Sequence, residues 1–115
     1  MPLRDELQKI CAEQHKRMVA KGFWEKPPEE ESPLERQGRL MLLVGEVAEV
    51  SEALRGGERR LSEKIPPFCK EEEEAADIFL RLADICGAYD LNLGGAVEAK
   101  LTHNTKRPPK HGKTC

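Results

Sequence analysis

Residues 32–55 read SPLERQGRLMLLVGEVAEVSEALR, and this stretch decides the fold. Ser32 followed three residues later by Glu35 is a capping box, and Pro33 sits at the first helical position, where its missing N–H costs nothing. The helix should run to Arg55, before Gly56-Gly57. At about 100° per residue, Leu40, Leu43, Val44, Val47, Val50 and Leu54 share one face. Met41, Leu42, Ala48 and Ala53 widen the apolar arc well past the ~100° of a helix packed on one side. Such a helix is expected at the centre of a bundle or of a subunit interface. Gly38 and Gly45 each cost about 1 kcal/mol relative to alanine, which predicts a neighbour approaching closely there.

Three further helices follow from the same periodicity. The first spans about Leu3 to Lys21, with Leu3, Leu7, Ile10, Cys11, Met18 and Val19 spaced by threes and fours and Gly22 as a stop. A polar loop with Phe23, Trp24, Pro27 and Pro28 separates it from the helix of residues 33–55. A linker from Gly56 to Lys70, bearing Pro66-Pro67, leads to a helix from about Glu71 to Ala88 packed through Ala75, Ile78, Phe79, Leu82, Ile85 and Cys86. The last helix starts at Asn92 as N-cap, uses Leu93, Val97 and Leu101, and is ended by Pro108-Pro109. The 115 residues provide for one domain over residues 1–115. With 38% hydrophobic and 35% charged residues and only five aromatics, the composition favours helices with charged outer faces. The expected class is all-α, a four-helix, bundle-like arrangement.

A formal charge of −2, from 19 basic and 21 acidic residues, provides no general attraction to nucleic acid or to an acidic membrane. The longest apolar run, Leu40 to Val44, is far short of the roughly 20 residues that span a bilayer. The charged amphipathic start of the chain lacks the apolar segment of a signal peptide, so a cytoplasmic protein is expected. Cys11, Cys69, Cys86 and Cys115 include no C-x-x-C pair and read as reduced thiols, Cys11 and Cys86 as small core residues.

Charge is unevenly distributed. Glu46 and Glu49 are three apart on one predicted helix, and Glu74 and Asp77 are three apart on another, so each pair shares a helix face. Leu42 and Ala53 bracket the first pair, and the second borders the apolar face of its helix. If the two helices pack side by side, four carboxylates converge at the edge of the core. At ~4 Å each like-charge pair costs about 1 kcal/mol in water and about 4 kcal/mol at an effective dielectric of 20. A hard divalent ion relieves that repulsion, and Mg²⁺, with Mn²⁺ as a substitute, takes carboxylate oxygens together with phosphates. With 21 acidic residues the E-x-x-E spacing also arises by chance, as in Glu49/Glu52 and Glu71/Glu74, and a solvated acidic face is the plain alternative. Glu73 stands one turn before Asp77 and competes with Glu74 for the inward register. Residues 100–115 carry no carboxylate side chain but do carry Lys100, Lys106, Arg107, Lys110 and Lys113. Lys100, Asn104 and Arg107 recur at helical spacing, and this mixture of mobile ammonium and planar guanidinium suits several phosphate groups on one ligand. Acids facing cations are what a metal-chelated polyphosphate requires.

The segments Gly22-Phe23-Trp24-Glu25, Val44 through Arg55, Glu74-Ala75-Ala76-Asp77-Ile78, and Lys100 through Pro108 followed by His111-Gly112-Lys113 occur in one order along the chain. In them the sequence resembles the MazG-like all-α nucleoside triphosphate pyrophosphohydrolases. The resemblance implies a MazG-type helical fold assembled as a homodimer or homotetramer. It also implies Mg²⁺-dependent hydrolysis of a nucleoside triphosphate, standard or modified, ribo or deoxy, to the monophosphate and pyrophosphate, a reaction suited to cleaning nucleotide pools. Carried over by position, Glu46, Glu49, Glu74 and Asp77 are the metal ligands, with Glu49 as the base toward the attacking water. Lys100, Asn104, Arg107, Lys110 and Lys113 hold phosphates, and Trp24, with Phe23, stacks on the base or else caps the first helix. Asp84 and His103 stand near the site on helical spacing. Pro109, where relatives often carry an aromatic, and Gly94-Gly95, where they carry acids, depart from the pattern. Two alternatives stand beside this one: a non-catalytic helical oligomer that binds nucleotide or protein, and a phosphoribosyl-ATP pyrophosphohydrolase with similar acids.

Overall fold

The computed structural model of the protein describes residues 2–56 and 60–108. Helix α1 covers Pro2–Ala20, α2 Pro33–Arg55, α3 Lys70–Ala88 and α4 Leu93–Thr105, with a short 3₁₀ turn at Pro28–Glu30. Among the described residues there is no β-strand, only an isolated bridge between Leu61 and Cys69 in the α2–α3 connection. No helix among the described residues is long and apolar enough to cross a membrane.

The start signals act as local chemistry dictates. The Ser32 side chain accepts from the Glu35 N–H at 3.1 Å, the Glu35 carboxylate accepts from the Ser32 N–H at 2.9 Å, and Lys26 adds a third bond to Glu35 at 3.0 Å. Asn92 caps α4 by accepting from the Gly95 N–H. Gly22 ends α1 at φ +87°, a conformation costly for any residue with a Cβ. The α3 start is one the sequence did not reveal: Cys69 is the N-cap residue and Glu72 accepts from its N–H at 2.9 Å.

Packing is in pairs: α4 lies on α1, α1 on α3, and α3 on α2. The small apolar core is Cys11, Ala83 and Cys86, with Ile10, Leu82 and Leu93 packed around it. Both thiols are thus core residues, as expected, and burial pushes their pKa values up. Two glycines permit the close approach: a Cβ on Gly87 would meet the Cys11 carbonyl and the His15 Cβ, and one on Gly94 would meet the Arg4 backbone.

The position of α2 corrects the expectation that it is central to the chain. No residue of α2 is buried, and Leu40, Met41, Leu42, Val44, Val47 and Leu54 are 42–63% exposed. Only a strip that includes Leu43, Glu46, Val50 and Ala53 is half-buried. Among the described residues nothing lies within 4 Å of a Cβ placed on Gly38 or Gly45, so none of them explains these glycines. On α3, Ala75 and Phe79 are likewise exposed, whereas Glu73, Glu74 and Asp84 are buried. The arrangement is open: the radius of gyration is 16.7 Å, against about 13 Å for a compact domain of this length.

Candidate metal centre

Glu46 projects from the strip of α2 that meets α3, because it lies three residues after Leu43 and four before Val50. Glu74 and Asp77 occupy one face of α3. The three side chains each offer an oxygen within 4.8 Å of the others, with Glu74 buried and Glu46 and Asp77 half-buried. Two of the acids have cations at hand. Arg81 donates to Glu46 Oε1 from Nη2 at 3.1 Å and from Nε at 3.3 Å, and Lys70 Nζ is 3.1 Å from Glu74 Oε1. Asp77 has its pKa raised, first by burial and then by the charges on Glu46 and Glu74. Three hard oxygen donors in this setting fit Mg²⁺ or Mn²⁺, which favour carboxylates and complete their coordination with water and phosphate oxygens.

The structure also resolves the choice between Glu73 and Glu74. Glu73 turns to the α2–α3 connection, where it accepts from the Ser62 hydroxyl and lies 3.3 Å from Lys70 Nζ. Ser62 Oγ in turn accepts from the N–H groups of Lys64 and Ile65. The Ser62 bond, with help from Lys70, outweighs burial and holds the Glu73 pKa below the ordinary glutamate value. Glu73 therefore anchors the connection, and Glu74 joins Glu46 and Asp77.

Two cavities adjoin the acids. The larger, about 360 Å³, is lined by Glu49, Glu52, Arg60, Lys70, Glu71 and Glu74 among others. The smaller, about 140 Å³, is lined by Gln14, Met18, Glu46, Asp77, Arg81 and Asp84 among others. Of the four carboxylates singled out by spacing, three converge, and Glu49 lies exposed on the wall of the larger cavity beside Glu74. Lys100 and Asn104 are exposed on α4, and Arg107 is half-buried just beyond it. No α4 residue lines either cavity, so within one chain the expected apposition of these cations to the acids is not formed. Lys110 and Lys113 lie outside the described residues. The cations that do line the cavities, Arg60, Lys70 and Arg81, were not singled out by the sequence reading. Two of them had a signal there, since Lys70 is four residues before Glu74 and Arg81 four after Asp77.

Trp24 is buried rather than presented to a ligand. Its Nε1–H donates to both oxygens of Asp84 at 3.0 and 3.1 Å, and the Arg39 guanidinium lies 3.3 Å from the ring centroid. A nucleobase could take that face only by displacing Arg39. His15 Nδ1 lies 2.9 Å from Asp84, and the ring meets Trp24 edge-on. Arg39 also pairs with the buried Glu31 at 2.7 Å, and the Tyr89 hydroxyl donates to the other Glu31 oxygen. Burial alone would raise the Glu31 pKa, but the Arg39 and Tyr89 bonds bring it below the ordinary value. Burial and the Glu31 carboxylate push Tyr89 up to about 12. The cluster ties the end of α1 and the loop after it to α2 and α3, next to the acids.

No protein-family model, curated protein or solved structure matches the chain.

An aspartate whose pKa is raised by folding destabilises the folded state once ionised. That cost is absent below the ordinary carboxylate range and grows as pH rises toward and through the raised value. Without divalent ions, Asp77→Asn should therefore melt a few degrees above wild type at neutral pH, and the gap should close toward about pH 3. Mg²⁺ should raise the melting temperature of wild type and leave that of the variant unmoved. Thermal melts over this pH range check both; a variant that melts at or below wild type at neutral pH contradicts the electrostatic assignment.

Proposed function

We propose that the protein is a MazG-like, Mg²⁺-dependent pyrophosphohydrolase that cleaves a nucleoside triphosphate to the monophosphate and pyrophosphate in the cytoplasmic nucleotide pool. The observation that carries the reading is the meeting of Glu46, Glu74 and Asp77 across two helices, with their oxygens within 4.8 Å. These are three of the four residues that the motif resemblance assigns to the metal. In this reading, the three carboxylates would hold the ion, which would supply charge to offset that of the phosphates and to activate the attacking water. Glu49, exposed on the cavity wall beside Glu74, takes the proton from that water. Lys100, Asn104 and Arg107 hold phosphate oxygens. Because α4 lies on α1 and lines neither cavity, this reading brings them from a second copy of the chain.

A homodimer or homotetramer belongs to the same proposal. The exposed apolar side of α2 and the open arrangement of the single chain support it, and light scattering should report a multiple of 13.0 kDa.

The test is a panel of ribo- and deoxynucleoside triphosphates with Mg²⁺, assayed for pyrophosphate and monophosphate, with phosphoribosyl-ATP as a separate substrate. Wild type should release pyrophosphate from at least one triphosphate. Glu46→Gln should lower kcat by at least about 100-fold with its helical content intact. An oligomer that binds nucleotide without ever releasing pyrophosphate would replace the enzyme with the binding-protein alternative.

A further inference from the structure

The Arg81–Glu46 pair stands apart from the other ion pairs near the acids. Lys70 reaches the buried Glu73 and Glu74 along its own helix, three and four residues away, as neighbours on one helix face do. Arg81 instead crosses from α3 to α2, to a residue 35 positions earlier, and both partners are shielded, with side chains 31% and 20% exposed. Its two donating nitrogens share one carboxylate oxygen, Glu46 Oε1. That geometry forgoes the two-oxygen fork that makes arginine–carboxylate pairs strongest, so the bond is one that a better partner can displace. Arg81 also lines the smaller cavity with Asp77 and Asp84, which leaves the guanidinium other directions to take.

Resting on the reading above, we propose that Arg81 is an internal counter-ion that competes with the divalent cation for Glu46 and, once displaced, holds a phosphate oxygen of the substrate. A guanidinium on Glu46 cancels one of the three converging charges and repels an arriving dication. At a separation of about 6 Å and with the dielectric of water, repulsion between one and two positive charges amounts to about a tenfold weakening of binding. The same cation becomes useful when a polyphosphate arrives with the ion, because the substrate brings more negative charge than the ion neutralises. Arg81 would thus keep the acids paired in the empty protein and favour the ion and its nucleotide together over the ion alone.

The experiment measures Mn²⁺ binding by electron paramagnetic resonance on the full chain, without nucleotide, for wild type, Arg81→Gln and Glu46→Gln. In parallel, KM is measured for the triphosphate that wild type cleaves. Arg81→Gln should bind Mn²⁺ about tenfold more tightly than wild type while its KM rises at least tenfold. Equal or weaker Mn²⁺ binding in a folded Arg81→Gln overturns the proposal and leaves the pair a purely structural link between helices. Should that variant fail to fold, the Arg81 Nε–H resonance of wild type, assigned by its loss in Arg81→Lys, decides. Addition of Mg²⁺ should shift that signal and speed its exchange with water, and an unmoved signal overturns the proposal. Failure of the underlying reading is separately visible, since wild type and Glu46→Gln would then bind Mn²⁺ equally.

Discussion

Three carboxylates from two helices, Glu46 on α2 and Glu74 and Asp77 on α3, are held with oxygens within 4.8 Å of one another. Their mutual repulsion pushes the helices apart, against the half-buried Leu43, Val50 and Ala53 of α2. Polar clamps add to the hold on the seam. At one end Arg39 of α2 lies over Trp24 and pairs with Glu31, while Trp24 is bonded to Asp84 of α3. In the middle Arg81 reaches across to Glu46. Toward the start of α3, Glu73 accepts from Ser62 and so ties the incoming connection to the helix. These bonds let like charges remain together.

Helix α3 serves two purposes along its length. Its second half supplies Ala83, Ile85 and Cys86 to the interior and, through Gly87, lies against the backbone of α1. Its first half carries Glu73, Glu74 and Asp77. Asp84 stands where the two parts meet, buried, bonded to Trp24 and His15, and on the wall of the smaller cavity. The acids are therefore mounted on an element fixed by the core, which is the support a coordinating site needs if its geometry is to hold. Helix α2 has the opposite character: one strip on α3 and a broad apolar surface toward solvent. In the proposed oligomer this surface would meet a second copy of the chain.

Much of this was legible beforehand, for reasons that differ by residue. Ser32, Glu35 and Asn92 act within three residues of themselves, so their caps could be read directly. The three-residue spacing of Glu74 and Asp77 carried their common face, whereas the stripe read for Glu46, from Leu42 through Glu49 to Ala53, differs from the half-buried strip, since Leu42 and Glu49 are exposed. What periodicity could not supply was the partner of each face. An apolar arc says that a helix seeks contact, not whether that contact lies in the same chain, so of the two places expected for α2, the centre of a bundle or of a subunit interface, the single chain does not provide the first. The choice between Glu73 and Glu74 depended on Ser62, which sits in a loop without periodicity. Trp24 was a candidate for a ligand only through the motif resemblance, and its N–H is bonded to Asp84, 60 residues away. Pairings at such distance along the chain leave no local pattern, and Arg81–Glu46 escaped notice for the same reason.

As proposed, a divalent cation lodges among Glu46, Glu74 and Asp77. Anomalous diffraction from crystals grown with Mn²⁺ tests it most directly. A manganese peak within coordination distance, about 2.2 Å, of oxygens from all three side chains is the predicted result. Clear density for the three carboxylates with no peak among them, at a Mn²⁺ concentration that occupies sites elsewhere on the molecule, would contradict it.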